Sequence, residues 1–79
     1  MTKEQILDGL KEVFVTVKPK LDLSKVGFDS SLVRDLGMDS LSMLLMSLAV
    51  EQRFSMQFET QKPFQTVGEV VEYIETHIG

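Results

Sequence analysis

The sequence contains no cysteine and a single histidine, His77, among its 79 residues. Without cysteine there is neither a disulfide framework nor a thiolate nucleophile, and too few of the usual ligands remain for a zinc site. A serine hydrolase needs a base beside its nucleophile, and His77 stands among the last residues, where fraying is expected. A GxSxG elbow and glycine-rich phosphate loops are also missing. We therefore expect no catalytic residues and no metal site.

Positive charge is also scarce, since eight Lys and Arg residues face twelve Asp and Glu residues and give a net charge of −4. This balance argues against binding to nucleic acid or anionic membranes, because both are negatively charged. No apolar run approaches the roughly 20 residues that span a bilayer, and the charged N-terminus MTKEQILDGL differs from a secretory signal. We expect one folded domain over residues 1–79, monomeric and suited to a reducing cytoplasm.

The two ends of the chain show helical periodicity. From about Thr2 to Val17 one apolar stripe recurs at helical spacing: Ile6, Leu7, Leu10, Val13, Phe14 and Val17. Pro19 is expected to end this helix, because its ring forbids continuation. Near the other end, Thr66 and Glu69 have the spacing of a capping box. A second helical stripe follows them to the end of the chain: Val67, Val70, Val71, Ile74 and Ile78.

A long connection over residues 19–39 is rich in apolar side chains, namely Leu21, Leu23, Val26, Phe28, Leu32, Val33 and Leu36. We expect it to pack across the core, with Ser30 or Ser31 capping one short helical turn. Residues 55–65 are broken by Pro63 and are expected to hold one irregular helical turn around Glu59 to Phe64. Strand-type alternation is weak throughout, and residues 54–58 are the one candidate.

The segment Ser40 to Phe54 is predicted to form a helix with two apolar arcs, where a surface helix needs only one. One arc contains Met43, Met46, Val50 and Phe54, and the other contains Leu41, Leu44, Leu45 and Leu48. The second arc has two interpretations. It is either additional core under the long connection, with Leu44 in particular buried, or a face on which a partner docks.

The run LGMDSL, residues 36–41, stands where the long connection stops and this helix begins. Asp39 is a good N-cap, because its carboxylate accepts a backbone N–H and faces the positive end of the helix dipole. Ser40 then occupies the first helical position with a free hydroxyl. An anion attached there would meet unsatisfied N–H donors. The residues thus fit either a plain helix start or a site of attachment.

In its context, LGMDSL resembles the 4′-phosphopantetheine attachment motif of acyl carrier proteins. The first helix, the long apolar connection, the run VRDL before the motif and the run FQTVGE before the last helix also resemble that family. The resemblance covers nearly the whole chain. It implies an all-α fold, a four-helix bundle with a long first loop and a short third helix.

The resemblance also implies a function for the two residues at the helix start. A phosphopantetheinyl transferase would move the 4′-phosphopantetheine arm from coenzyme A to Ser40, and Asp39 would help that enzyme recognise the site. The arm's thiol would then hold acyl groups as thioesters. Its other partners would be acyl-loading and acyl-processing enzymes such as ketosynthases or acyltransferases.

The sequence departs from the family after the serine, where the helix is usually acidic. Here Ser42 and Leu45 stand where acidic residues are common. We therefore predict a partner-binding surface that depends less on charge, formed by Leu41, Leu45, Leu48, Glu51 and Asp35. Fatty acid synthesis and a specialised lipid or polyketide pathway fit equally. Two alternatives stay open, an aminoacyl or peptidyl carrier and an unmodified module that docks through the leucines.

Overall fold

The computed structural model describes residues 2–58 and 64–78. In these ranges the chain forms three α-helices, α1 (Lys3–Val17), α2 (Ser40–Phe54) and α3 (Val67–Ile78), and one 3-10 turn (Leu23–Lys25). The all-helical prediction is confirmed. The expectation of a four-helix bundle is not confirmed, since the turn expected around Glu59 falls on residues outside the described ranges.

Strand structure in the described ranges is limited to an isolated bridge between Ser31 and Thr66. The strand candidate at residues 54–58 is therefore wrong, because it begins inside α2. None of the described helices is both long and apolar enough to cross a membrane.

Helix α1 begins at a capping box that the sequence analysis did not identify. The Thr2 hydroxyl accepts a hydrogen bond from the Gln5 N–H (3.1 Å), and the Gln5 side chain accepts one from the Thr2 N–H (2.8 Å). The helix ends at Val17, two residues before Pro19, as predicted. Its predicted stripe is buried except for the partly buried Val17.

Helix α3 begins at the capping box predicted from the sequence. The Thr66 hydroxyl accepts from the Glu69 N–H (3.2 Å), and the Glu69 carboxylate accepts from the N–H groups of Thr66 (3.3 Å) and Gln65 (2.7 Å). The helix buries Val67, Val70, Val71 and Ile74. Helix α1 packs against both α2 and α3 and so lies at the centre of the core.

The long connection packs on this core, as predicted, through the buried side chains of Val26, Leu32 and Leu36. Two of its apolar residues, Phe28 and Val33, are exposed instead. The connection also docks on the start of α3, where the Gly68 N–H donates to the Phe28 carbonyl (2.8 Å). A Cβ at Gly68 would lie 2.9 Å from that carbonyl oxygen, so only glycine permits this approach.

Candidate modification site at the start of α2

Residues 31–36 form a single turn near the end of the long connection, just before the start of α2. Ser31 caps it as predicted, since its hydroxyl accepts from the Arg34 N–H (3.1 Å). Its carbonyl accepts from the N–H groups of Asp35 (2.9 Å) and Leu36 (3.1 Å). Asp35 closes the turn by accepting from the Ser31 N–H (2.6 Å). Hydrogen bonds within the turn therefore fix the backbone that leads into the motif.

Gly37 reverses the chain between two buried anchors, Leu36 and Met38. Its φ angle is +69°, a left-handed conformation that costs other residues energy. A Cβ there would touch nothing within 4 Å, so the glycine serves the backbone angle rather than a tight space. The Met38 N–H donates to the Leu32 carbonyl (3.0 Å) and fixes the exit of the turn.

Asp39 is the N-cap of α2, as predicted. Its backbone is extended (φ −98°, ψ −173°), and its Oδ1 accepts from the Ser42 N–H (2.8 Å). The pKa of Asp39 lies below its ordinary value, first because of this backbone hydrogen bond, then because of the Ser42 hydroxyl and the nearby charge of Lys18. The carboxylate is thus held in its charged form beside Ser40.

Ser40 is the first residue of α2 and is exposed. Among the side-chain hydrogen bonds of the described residues, none uses its hydroxyl. The first N–H groups of a helix have no partner inside the helix and carry its positive partial charge. An anion bonded to the Ser40 oxygen would therefore be stabilised where it sits. The site is open, reachable and electrostatically suited to a phosphodiester.

Ser42, two residues later, has the opposite environment. It is 8% exposed, and its N–H donates to the Asp39 carboxylate (2.8 Å). Sequence reasoning assigned no function to this residue. The three-residue spacing from an N-cap aspartate could have identified its N–H as the cap's partner. The two serines therefore differ in accessibility, since the Ser40 side chain is exposed and Ser42 is buried next to the cap.

The second apolar arc of α2 is exposed along its length. The exposed fractions are 65% for Leu41, 57% for Leu44, 46% for Leu45 and 51% for Leu48. The interpretation as additional core is therefore wrong, and so is the expected burial of Leu44. The helix turns its other arc inward, where Met46, Val50 and Phe54 are buried, and the connection packs elsewhere. We call these four residues the leucine strip.

The two acidic residues predicted for partner binding occupy different settings. Asp35 is exposed on the turn before the motif while accepting from Ser31. Glu51 is partly buried, and its Oε2 accepts from the Phe58 N–H (2.9 Å). Sequence reasoning missed this second role, because the contact joins α2 to a segment with no regular structure.

Groups of three or more potential ligands close enough to hold a metal ion do not occur among the described residues. His77 lies in the last turn of α3, where its Nδ1 contacts the Tyr73 carbonyl oxygen (2.8 Å). Its ring stacks on Tyr73 with centroids 4.0 Å apart. These contacts hold the exposed imidazole against Tyr73 of the same helix.

The family model described as a phosphopantetheine attachment site matches residues 9–74, a range that includes the turn at residues 31–36 and all of α2. An acyl carrier protein of Exiguobacterium sp. is 40% identical over 99% of this chain and all of its own length. Those of Wolinella succinogenes (38%) and Clostridium perfringens (35%) are similar over 91% of this chain and 96% of theirs. The chain belongs to the acyl carrier protein family.

Membership gives the chain its function, which is to carry acyl groups on a covalently attached 4′-phosphopantetheine. It also implies that the chain interacts with a phosphopantetheinyl transferase and with biosynthetic enzymes. The exposed, positively polarised start of α2 fits this cofactor, because the group joins through an anionic phosphate. The arm's thiol supplies the reactive sulfur that a sequence without cysteine does not contain.

Proposed function

We propose that Ser40 is the residue that carries the 4′-phosphopantetheine arm. The observation behind this proposal is the contrast at the start of α2, where the Ser40 hydroxyl is exposed and unbonded while Ser42 is 8% exposed and donates its N–H to Asp39. The hydroxyl oxygen accepts the arm as a phosphodiester, and the helix N-terminus stabilises the charge that results.

Asp39 has two roles in this proposal. Its carboxylate caps α2 and so holds Ser40 at the first helical position. It also presents a charged group beside the reacting hydroxyl, which helps the transferase recognise the site. The carboxylate is charged at neutral pH like any aspartate, and hydrogen bonding at the start of α2 lowers its pKa further.

Incubation with coenzyme A and a broad-specificity transferase tests both assignments by intact mass. The parent chain should gain one phosphopantetheine, and Ser40→Ala should fold normally, because alanine suits a helix, yet gain nothing. Asp39→Ala should be modified more slowly than its folded fraction explains. Modification of Ser40→Ala would refute the first assignment. Unchanged melting and an unchanged modification rate of Asp39→Ala would refute the second.

The partner-binding surface that we propose consists of Leu41, Leu45 and Leu48 of the leucine strip, with Asp35 and Glu51. Partly exposed leucines beside an attachment site are typical of the apolar centre of an interface. Because α2 carries only Glu51 and Arg53 as charged residues, docking should depend little on ionic strength. Steep loss of partner binding with added salt would instead assign recognition to the acidic residues.

The cargo and pathway belong to the same proposal. We propose an acyl cargo of fatty acid, specialised lipid or polyketide synthesis, delivered to enzymes such as ketosynthases or acyltransferases in the cytoplasm, by a monomeric four-helix bundle. The similarity to acyl carrier proteins supports acyl rather than aminoacyl groups. Presenting activated fatty acids and amino acids to the loaded form with candidate loading enzymes tests this, and exclusive aminoacylation would overturn it.

A further inference from the structure

Helix α3 begins with four backbone N–H groups that have no partner inside the helix. The capping box satisfies the first and the last of them. Carbonyls of the long connection satisfy the two between, because the Val67 N–H donates to Ser30 (3.0 Å) and the Gly68 N–H donates to Phe28 (2.8 Å). The long connection therefore completes the cap of α3, and the two segments are held together by backbone hydrogen bonds.

Leu32 extends this contact from α3 toward the modification site. Its N–H donates to the Gln65 carbonyl (2.9 Å), and its own carbonyl accepts from the Met38 N–H (3.0 Å). Leu32 is 0% exposed and Met38 is 2% exposed, so both are anchored in the core. Met38 directly precedes Asp39 and Ser40. A short path of hydrogen bonds and buried side chains thus joins the start of α3 to the motif.

Gly68 is the residue of α3 that lets the connection come this close. A Cβ at this position would lie 2.9 Å from the Phe28 carbonyl oxygen and 3.6 Å from the Phe28 Cβ. Because the nearest atom belongs to the backbone, Gly68→Ala requires the connection to move away from α3. Within a helix glycine is otherwise less favourable than alanine. The glycine therefore serves the approach of the connection rather than the stability of the helix.

We propose that Gly68 is a positioning residue for the modification of Ser40, and that it acts through the long connection. The close approach at Gly68 holds Phe28 on α3, and the connection in turn holds Leu32 and Met38 in the backbone path that leads to Ser40. The transferase must meet a hydroxyl of fixed place and orientation, since a small misplacement of a reacting group lowers the rate. This inference rests on attachment of the arm at Ser40.

Transferase kinetics at increasing concentrations of the unmodified chain test this role. Gly68→Ala should lower kcat roughly 2- to 10-fold, the equivalent of one hydrogen bond. A smaller folded fraction alone would dilute the substrate and raise KM, whereas a misplaced hydroxyl lowers kcat even at saturation. The matched control is Gly27→Ala in the same connection, where a Cβ would meet nothing within 4 Å, and it should react like the parent.

Nuclear magnetic resonance supplies a second readout of the same variants. In the ¹⁵N-labelled chain, the amide signals of Asp39 and Ser40 should shift in Gly68→Ala and stay in place in Gly27→Ala. Signals that stay in place in Gly68→Ala would contradict a path from α3 to the motif.

A second set of variants loosens the start of α3 without a steric clash. Glu69→Ala removes the carboxylate that accepts from the N–H groups of Gln65 (2.7 Å) and Thr66 (3.3 Å), so it should lower kcat by releasing the segment that holds Leu32. Glu69→Gln keeps a capping box and should restore kcat. Gln5→Ala removes the corresponding capping box of α1 and should leave kcat unchanged.

The outcomes separate the positioning role from the proposed function. A kcat of Gly68→Ala equal to that of the parent, or an equal fall in Gly27→Ala, would overturn the inference. If Gly68→Ala does not fold, Glu69→Ala and Gln5→Ala decide, and equal kcat values for these two would overturn it. Modification of Ser40→Ala refutes the proposed function instead, whereas a chain modified on Ser40 with the parent kcat in every variant refutes the positioning role alone.

Discussion

The leucine strip gives a quantitative prediction, because α2 places an exposed and a buried side chain next to each other. Leu45 is 46% exposed and Met46 is 0% exposed. Both are unbranched at Cβ and lie mid-helix, so their replacement by alanine has similar effects on helix propensity. Comparing Leu45→Ala with Met46→Ala therefore isolates the effect of side-chain burial on stability, because the change in helix propensity is nearly the same.

The expected costs follow from these exposures. Full burial of a leucine contributes about 1.5–3 kcal/mol, and Leu45 realises roughly half of it, so Leu45→Ala should cost about 1 kcal/mol. Met46→Ala should cost about 2–5 kcal/mol, because it also leaves a cavity in the core. For a domain of this size each kcal/mol lowers the melting temperature by about 4–8 °C. The two variants should differ clearly.

Thermal and urea unfolding followed by circular dichroism measure the difference, and transfer of an acyl group to a cognate partner enzyme measures function. Leu45→Ala should melt about 4–8 °C below the parent and lose transfer. Met46→Ala should melt far lower, while its folded fraction transfers normally. Equal destabilisation by the two substitutions would show that Leu45 is part of the core, and it would refute the partner-binding surface proposed here.

Two other predictions concern the approach to Ser40. Gly37→Ala should lower the free energy of unfolding in a urea titration by about 1–2 kcal/mol, because φ is +69° at this position. Gly37→Asn should recover part of that loss, and no loss in Gly37→Ala would contradict the prediction. Because its folded pKa is lowered, the Asp39 carboxylate stabilises the fold above its unfolded pKa and stops doing so as pH falls through the folded value. The melting temperature of Asp39→Asn, which keeps a good cap, should thus converge on that of the parent below about pH 4, and a constant gap across that range would contradict this.

Sequence periodicity predicted the helices well, because each buries a stripe at helical spacing and the caps of α2 and α3 were identified from the sequence. The start of α2 at Ser40 and its end at Phe54 follow from Asp39 and from the last member of the inward arc. The capping box of Thr66 and Glu69 was also predicted correctly from the sequence. These features depend on residues three or four positions apart, and such local spacing can be recognised in the sequence without knowledge of the fold.

Contacts between distant segments were not predictable in the same way. Two apolar arcs on α2 were evident, but nothing local decides which arc faces α1, so the burial expected for Leu44 was wrong. The hydrogen bond from Phe58 to Glu51 depends on how the chain folds back after α2. The close approach of Phe28 to Gly68 likewise exists only once the connection has packed on the start of α3.

Localising the arm within α2 tests the central claim most directly. The chain is converted with coenzyme A and a transferase, digested, and the peptide that spans Ser40, Ser42 and Ser47 is fragmented in a mass spectrometer. We predict that the phosphopantetheine mass resides wholly on Ser40, because Ser42 is only 8% exposed and the Ser47 hydroxyl donates to the Met43 carbonyl (3.0 Å). The mass on either other serine, or no added mass on a folded chain, would contradict the account.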